Sequence, residues 1–156
     1  MYSLEIPGFK SLNLEHLVLD FNGTMAVDGV PVPGVREIVT ELSQKMRVHV
    51  VTADTHGTCS EALAGWPVDV HVLEPGDEAL AKAAYLTALG RDTCAAMGNG
   101  RNDEIMLQTA ALGVAVIGDE GAAPETIAAA DVAVMGILSA FELLNVPKRL
   151  VATLRR

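Results

Sequence analysis

Asp20 closes an apolar run, His16-Leu17-Val18-Leu19-Asp20, and Phe21-Asn22-Gly23-Thr24 follows at once. A carboxylate at the carboxyl end of a buried parallel strand lies where open α/β sheets bind ligands. There it can act as a nucleophile, as aspartate does in phosphoenzyme ATPases. Three later segments carry groups suited to the same chemistry. His49-Val50-Val51-Thr52-Ala53-Asp54 ends on a hydroxyl and backbone N–H groups that can hold phosphate oxygens. The plainer use of Thr52 is at a helix cap, a role that also suits Asp54 and Thr55. Lys82 stands among Ala81, Ala83 and Ala84. A lysine in such a setting is ordinarily solvated, but from the first turns of a helix it can reach the strand ends and neutralise a phosphate. In Met97-Gly98-Asn99-Gly100-Arg101-Asn102-Asp103, two glycines let the backbone approach a ligand, and amide or carboxylate oxygens can face a hard cation. The same loop could serve only as a glycine turn with an Asx cap.

These groups meet only if the elements between them form a parallel sheet. Strand-like and helix-like runs alternate throughout, the pattern of a doubly wound, Rossmann-like α/β fold. The expected strands are His16–Asp20, Arg47–Thr52, Val68–Leu73, Thr93–Met97, Leu112–Ile117 and Asp131–Met135. The expected helices are Gly34–Met46, a short one near Thr55–Ala64, Gly76–Leu89, one near Asn102–Ala111 and one from Pro124. The tail from Gly136 reads as helical with a break near Pro147, and Met25–Pro33 as a short hairpin or flap. Right-handed crossovers put Asp20, Thr52 and Gly98 on one edge. His16, His49 and His71 read as packing or edge residues, and for His56 a role at the site mouth is the lesser of two readings. Asp119, Glu120 and Glu125 read as solvated charges, Asp131 as a turn cap, and Trp66-Pro67 as a turn anchor.

The 156 residues suit one compact domain, 1–156, and half are hydrophobic with only 4% aromatic, as a sheet under helices requires. A net charge of −9 argues against a nucleic-acid partner, which needs clustered Lys and Arg. Cys59 and Cys94 have no metal-ligand spacing and read as reduced thiols, which points to the cytoplasm. No apolar stretch reaches membrane-spanning length, and Met1–Lys10 lacks a signal-peptide core. The mean hydropathy of +0.32 permits a homo-oligomer.

The ordered set Asp20-Phe21-Asn22-Gly23-Thr24, Thr52, Lys82 and Gly98-Asn99-Gly100-Arg101-Asn102-Asp103 resembles the haloacid dehalogenase-like hydrolase superfamily. Its four motifs are Asp-x-Asp-x-Thr, a Thr or Ser, a Lys, and Gly-Asp-Gly-x-Asn-Asp. The likeness is nearest to the phosphorylation domain of P-type ATPases, whose Thr-Gly-Asp parallels Thr52-Ala53-Asp54. It implies that Asp20 becomes an aspartyl phosphate. It implies Mg²⁺ held by the Asp20 carboxylate, the Asn22 carbonyl and Asn99, with Asp103 in support directly or through water. Thr52, Ala53 and Lys82, with the N–H groups of Gly23 and Thr24, would hold the phosphoryl oxygens. Phosphoryl transfer mostly needs such positioning and charge neutralisation.

Two positions depart from the family. Asn22 stands where the hydrolases place an acid that protonates the leaving group and activates water, and a carboxamide cannot do either. General acid–base catalysis is typically worth about 10² to 10⁴ in rate. P-type ATPases also lack that acid and keep a long-lived phosphoenzyme. A slow second step and a good leaving group, such as a nucleotide or acyl phosphate, are therefore expected. Asn99 replaces an aspartate metal ligand, which implies weaker Mg²⁺ binding. No segment is long enough for a substrate-selecting cap, so the site should be open or covered by another subunit. The expected function is a slow, uncapped, Mg²⁺-dependent phosphohydrolase acting on a small phosphorylated substrate or nucleotide. The second reading is a catalytically degenerate phosphate- or metal-binding module on the same fold.

Overall fold

The computed structural model describes residues 1–54 and 57–156. The cap role of Thr55 and the site-mouth role of His56 therefore lie outside the described residues. Six parallel strands make the central sheet: β3 (His16–Asp20), β6 (Arg47–Thr52), β7 (Asp69–Val72), β8 (Cys94–Gly98), β9 (Leu112–Ile117) and β10 (Val132–Met135). Their spatial order is β10-β9-β8-β3-β6-β7. The chain thus builds outward from β3 in one direction, then returns to its other side with β8. The strand order reverses between β3 and β8, the place where such sheets bind ligands. Asp20 and Gly98 end those two strands.

Side-chain alternation sorts the strands into two layers. Leu17, Leu19, Val48, Val50, Ala95, Met97, Val114 and Val116 face one core. Helices α1 (Val35–Leu42), α6 (Ile137–Asn145) and α7 (Pro147–Leu154) cover it. Val18, Val51, Cys94, Ala96 and Ala115 face the other core, under α3 (Glu78–Gly90), α4 (Glu104–Thr109) and α5 (Pro124–Ala129). Small residues on β8 let α3 lie close to the sheet beside the site. A short α2 (Thr58–Ala62) follows β6.

The flap is a two-stranded hairpin, β4 (Ala26–Val27) with β5 (Val30–Pro31). Asp28 and Gly29 turn it with φ of 51° and 78°, the conformation of a tight hairpin turn. Among the described residues nothing larger is inserted between β3 and α1, and the segment between β6 and α3 is occupied by α2 and β7. No described helix is long and apolar enough to cross a membrane.

Some boundaries differ from expectation. α1 stops at Leu42, where Lys45 and Met46 N–H groups close a turn onto the Leu42 carbonyl, 2.9 Å each. The helix expected near Asn102 starts as a 3-10 turn, Arg101–Asp103, before α4. The Asp103 carboxylate folds back on the preceding loop and tightens it. A hairpin of β1 (Tyr2–Ile6) and β2 (Lys10–Leu14) also precedes the sheet. Tyr2, Ile6, Leu12 and Leu14 bury one face of it, and α7 packs against β1. Asp131 ties strands rather than capping a turn of its own: it accepts the Gly113 N–H at 2.8 Å and pairs with Lys10 at 3.4 Å.

Candidate active site

Lys82 is 1% exposed. Its Nζ donates to Asp20 Oδ1 and to Asp103 Oδ1, at 2.7 Å each. The flanking alanines explain this placement, since they let α3 settle on small neighbours and direct the lysine inward along the helix to the strand ends. One ammonium thus serves two buried carboxylates. Burial and the nearby Asp103 carboxylate push the Asp20 carboxyl up from the ordinary range, against the pull of Lys82. Burial alone would lower the Lys82 ammonium, but the two carboxylates reverse this and hold it above its usual value. The cluster thus holds one firmly protonated ammonium between two carboxylates, of which Asp20 is the one whose ionisation burial and its neighbour oppose.

Asp103 is fully buried. Its second oxygen, Oδ2, accepts the backbone N–H groups of Asn99 and Gly100 at 2.9 Å each. Both oxygens are therefore committed within the protein, which makes Asp103 an anchor for the loop and for Lys82. A β-carbon at Gly98 would fall on the Asp103 carboxyl group, so only glycine permits this approach. From the far side, Thr126 Oγ1 donates to the Gly100 carbonyl at 2.7 Å and Ala123 N–H to the Asn99 carbonyl at 2.8 Å.

Asn99 Nδ2 donates to the Gly121 carbonyl at 3.1 Å. This fixes the amide so that its oxygen faces inward. Thr24 Oγ1 lies 3.0 Å from Asn99 Oδ1 and 3.0 Å from Asp20 Oδ2. The Asp20 carboxylate and the Asn99 amide oxygen therefore converge on one hydroxyl. Gly23 carries the loop past Asn99 with φ of 79°, and a β-carbon there would collide with the Asn99 amide. Oxygen donors of this kind suit a hard divalent cation. Among the described residues no three acidic, histidine or cysteine side chains converge on a metal position. Beside the Asp20 carboxylate and the Asn99 amide oxygen, Asn22 lines the same cavity.

The cavity measures about 360 Å³ and is lined by Asp20, Asn22, Thr52, Ala53, Asp54, Glu78, Lys82, Asn99, Gly100 and Asn102. Thr52 is buried, and its Oγ1 accepts the Asp54 N–H at 3.1 Å. Its own proton is not needed for that bond. The capping task falls to Asp54, whose Oδ2 accepts the Cys59 N–H at 2.6 Å in the first turn of α2. The expectation for Gly23 and Thr24 differs from what is found. Their N–H groups donate within the loop, to Ala26 and Phe21 carbonyls at 2.8 and 3.3 Å. Thr24 acts through its hydroxyl instead. Both residues line a neighbouring apolar cleft with Val27, Val32 and Ile137.

Glu78 lies outside the motifs, and Asn102 belongs to the glycine loop, but the motif gives it no role of its own. Asn102 Nδ2 donates to Glu78 Oε2 at 2.7 Å across the cavity. The signal was present, since Glu78 precedes Lys82 by four residues and so shares its helix face.

No protein-family model matches this chain. An uncharacterized protein of Methanocaldococcus jannaschii (MJ0073) is 44% identical over 84 residues, covering 51% of this chain and 90% of its own. Among solved structures, 3-deoxy-D-manno-octulosonate 8-phosphate phosphatase of Moraxella catarrhalis, in complex with magnesium, phosphate and the sugar acid, superposes with a TM-score of 0.70. It shares 15% identity over 90% of this chain and 92% of that one. A phosphoserine phosphatase in its apo form gives 0.64 at 15% identity, over 78% and 94% of the chains. These similarities concern the fold.

Proposed function

We propose that this chain, which belongs to the haloacid dehalogenase-like superfamily and to one family with the archaeal protein, is a hydrolase of small phosphate esters and acyl phosphates. It would work through a phosphoryl group carried transiently by Asp20. The observation that supports this best is the buried bridge from Lys82 to Asp20 and Asp103 at 2.7 Å each. Buried charge is costly, and here it is concentrated at the strand-order reversal beside an open cavity. The fold-level likeness to phosphatases adds support by analogy.

In this reading an Asp20 oxygen attacks phosphorus, and the bond from phosphorus to the leaving oxygen breaks. Lys82 and the Thr52 hydroxyl stabilise the phosphoryl oxygens through the transfer. The leaving oxygen takes its proton from water, because Asn22 has none to give at neutral pH. Water then attacks phosphorus, Asp20 departs as a carboxylate, and phosphate is released. Mg²⁺ held by Asp20, Asn99 and the Asn22 carbonyl would neutralise phosphoryl charge. A single charged ligand makes for weak holding, so millimolar Mg²⁺ would be needed.

The test is phosphate release from acetyl phosphate and a phosphoester panel, with Mg²⁺ or Mn²⁺. Asp20→Asn should abolish release, and Asn22→Asp should raise steady-state turnover, by about 10² at the lower end of what a positioned acid contributes. Release unchanged in Asp20→Asn overturns the proposal. Heat protection by beryllium fluoride that survives Asp20→Asn, without any phosphate release, would instead identify a binding module.

A further inference from the structure

We infer that the space above the phosphoryl position selects small leaving groups that are neutral or cationic, and that Glu78 reads their charge; the substrate assignment rests on the hydrolase reading above. Three observations carry this. The cavity of about 360 Å³ is near the lower end for small-molecule sites, so once a phosphoryl group is seated little of a large leaving group fits inside. Lys82 is the only cation lining it among the described residues, and two carboxylates already hold that ammonium. Glu78 lies one helical turn outward from Lys82, on the same wall. It has no cation within ion-pair distance among the described residues, and Asn102 pins one of its oxygens from the opposite side.

The wall that meets the leaving group is therefore anionic and fixed in place. Asp54 lines the same cavity, with its carboxylate directed to the start of α2. Arg101, next to Asn102 in the sequence, lies at the surface, its Nε 3.9 Å from Glu125 Oε1. A leaving group that carries a carboxylate or further phosphates would be repelled by Glu78. One with an ammonium or several hydroxyls can donate to the free Glu78 oxygen and to the Asn102 carbonyl oxygen. This disfavours nucleotides and favours phosphorylated amino-alcohols and polyols.

Three probes of similar size separate the charges: O-phosphoethanolamine, glycerol 2-phosphate and 3-phosphoglycerate. The kcat/KM of the wild type should fall in that order, with on the order of tenfold between first and last at low salt. Glu78→Gln should narrow the spread to about twofold, and Glu78→Lys should invert it. Binding of the same three compounds to Asp20→Asn, by calorimetry, should follow the same order without turnover. Equal use of the three, preference for the carboxylate, or a spread indifferent to Glu78→Lys overturns the inference. Charge-ordered binding without hydrolysis would sink the hydrolase reading and keep the charge selection. Hydrolysis without charge order would do the reverse.

Discussion

Lys82 shows how a single side chain can be legible in chemistry and illegible in setting. Its type and order among the motifs mark it as a phosphate partner, yet an alanine-flanked lysine on a helix ordinarily reaches water. What sequence could not supply was the packing of α3 on the small residues of β8, which buries the lysine between Asp20 and Asp103. Removing one partner of a buried ionic group leaves the others uncompensated. Lys82→Met should therefore destabilise the protein by about 3 kcal/mol or more in urea unfolding without divalent cations. Adding Asp103→Asn should recover part of the loss, because one buried charge disappears with it. Stability unaffected by Lys82→Met would mean that the bridge is not formed in solution. Gly23 and Thr24 teach the complementary lesson. Their residue types fit backbone phosphate contacts, but the flap turn consumes both N–H groups, a hydrogen-bond assignment that no motif encodes.

The strands β3, β6 and β9 have the bounds that their sequence predicts, His16–Asp20, Arg47–Thr52 and Leu112–Ile117, because each is built on an apolar, largely β-branched or leucine-rich stretch. The β1–β2 hairpin was not read, although Tyr2, Leu4 and Ile6 alternate with polar residues. Its five-residue strands are short, and their burial comes from α7, far away in sequence. A second distant contact links β6 to α3. His49 Nε2 lies 3.0 Å from His16 Nδ1, and His49 Nδ1 lies 2.9 Å from the Tyr85 hydroxyl, while His71 stacks on Tyr85 at 4.5 Å between centroids. Burial, then the His16 ring, lowers His49 to about 4 from its ordinary 6.5, against a smaller pull from Asp69. Between those values the unfolded chain binds a proton that the native ring refuses. The His49 contribution to stability should thus fall as pH drops from about 6.5 toward 4 and level below that, while the raised Asp20 carboxyl contributes in the opposite direction over the same range. Measured as the difference between the two proteins, the urea midpoint of the wild type should lose ground to that of His49→Gln as pH drops across this range. Parallel curves for the two would remove His49 as the cause.

Taken together, the sheet works as a frame that presents two strand ends side by side, with α3 supplying the cation and the loop after β8 supplying the amide. Order along the chain was enough to anticipate that convergence, because parallel crossovers leave one edge for every turn. It was not enough to anticipate the acidic wall, since Glu78 and Asn102 become neighbours only after α3 and the Arg101–Asp103 turn dock. A flap of two short strands leaves the cavity in contact with solvent.

Acid quenching during turnover of acetyl phosphate with Mg²⁺, followed by peptide mass spectrometry, reads the covalent step itself. The peptide containing Asp20 should carry one phosphoryl group that hydroxylamine removes, and Asn22→Asp should lower its steady-state level by speeding its loss. A phosphoryl group on any other residue, or none on the wild type while phosphate is released, would contradict the assignment of Asp20 as nucleophile.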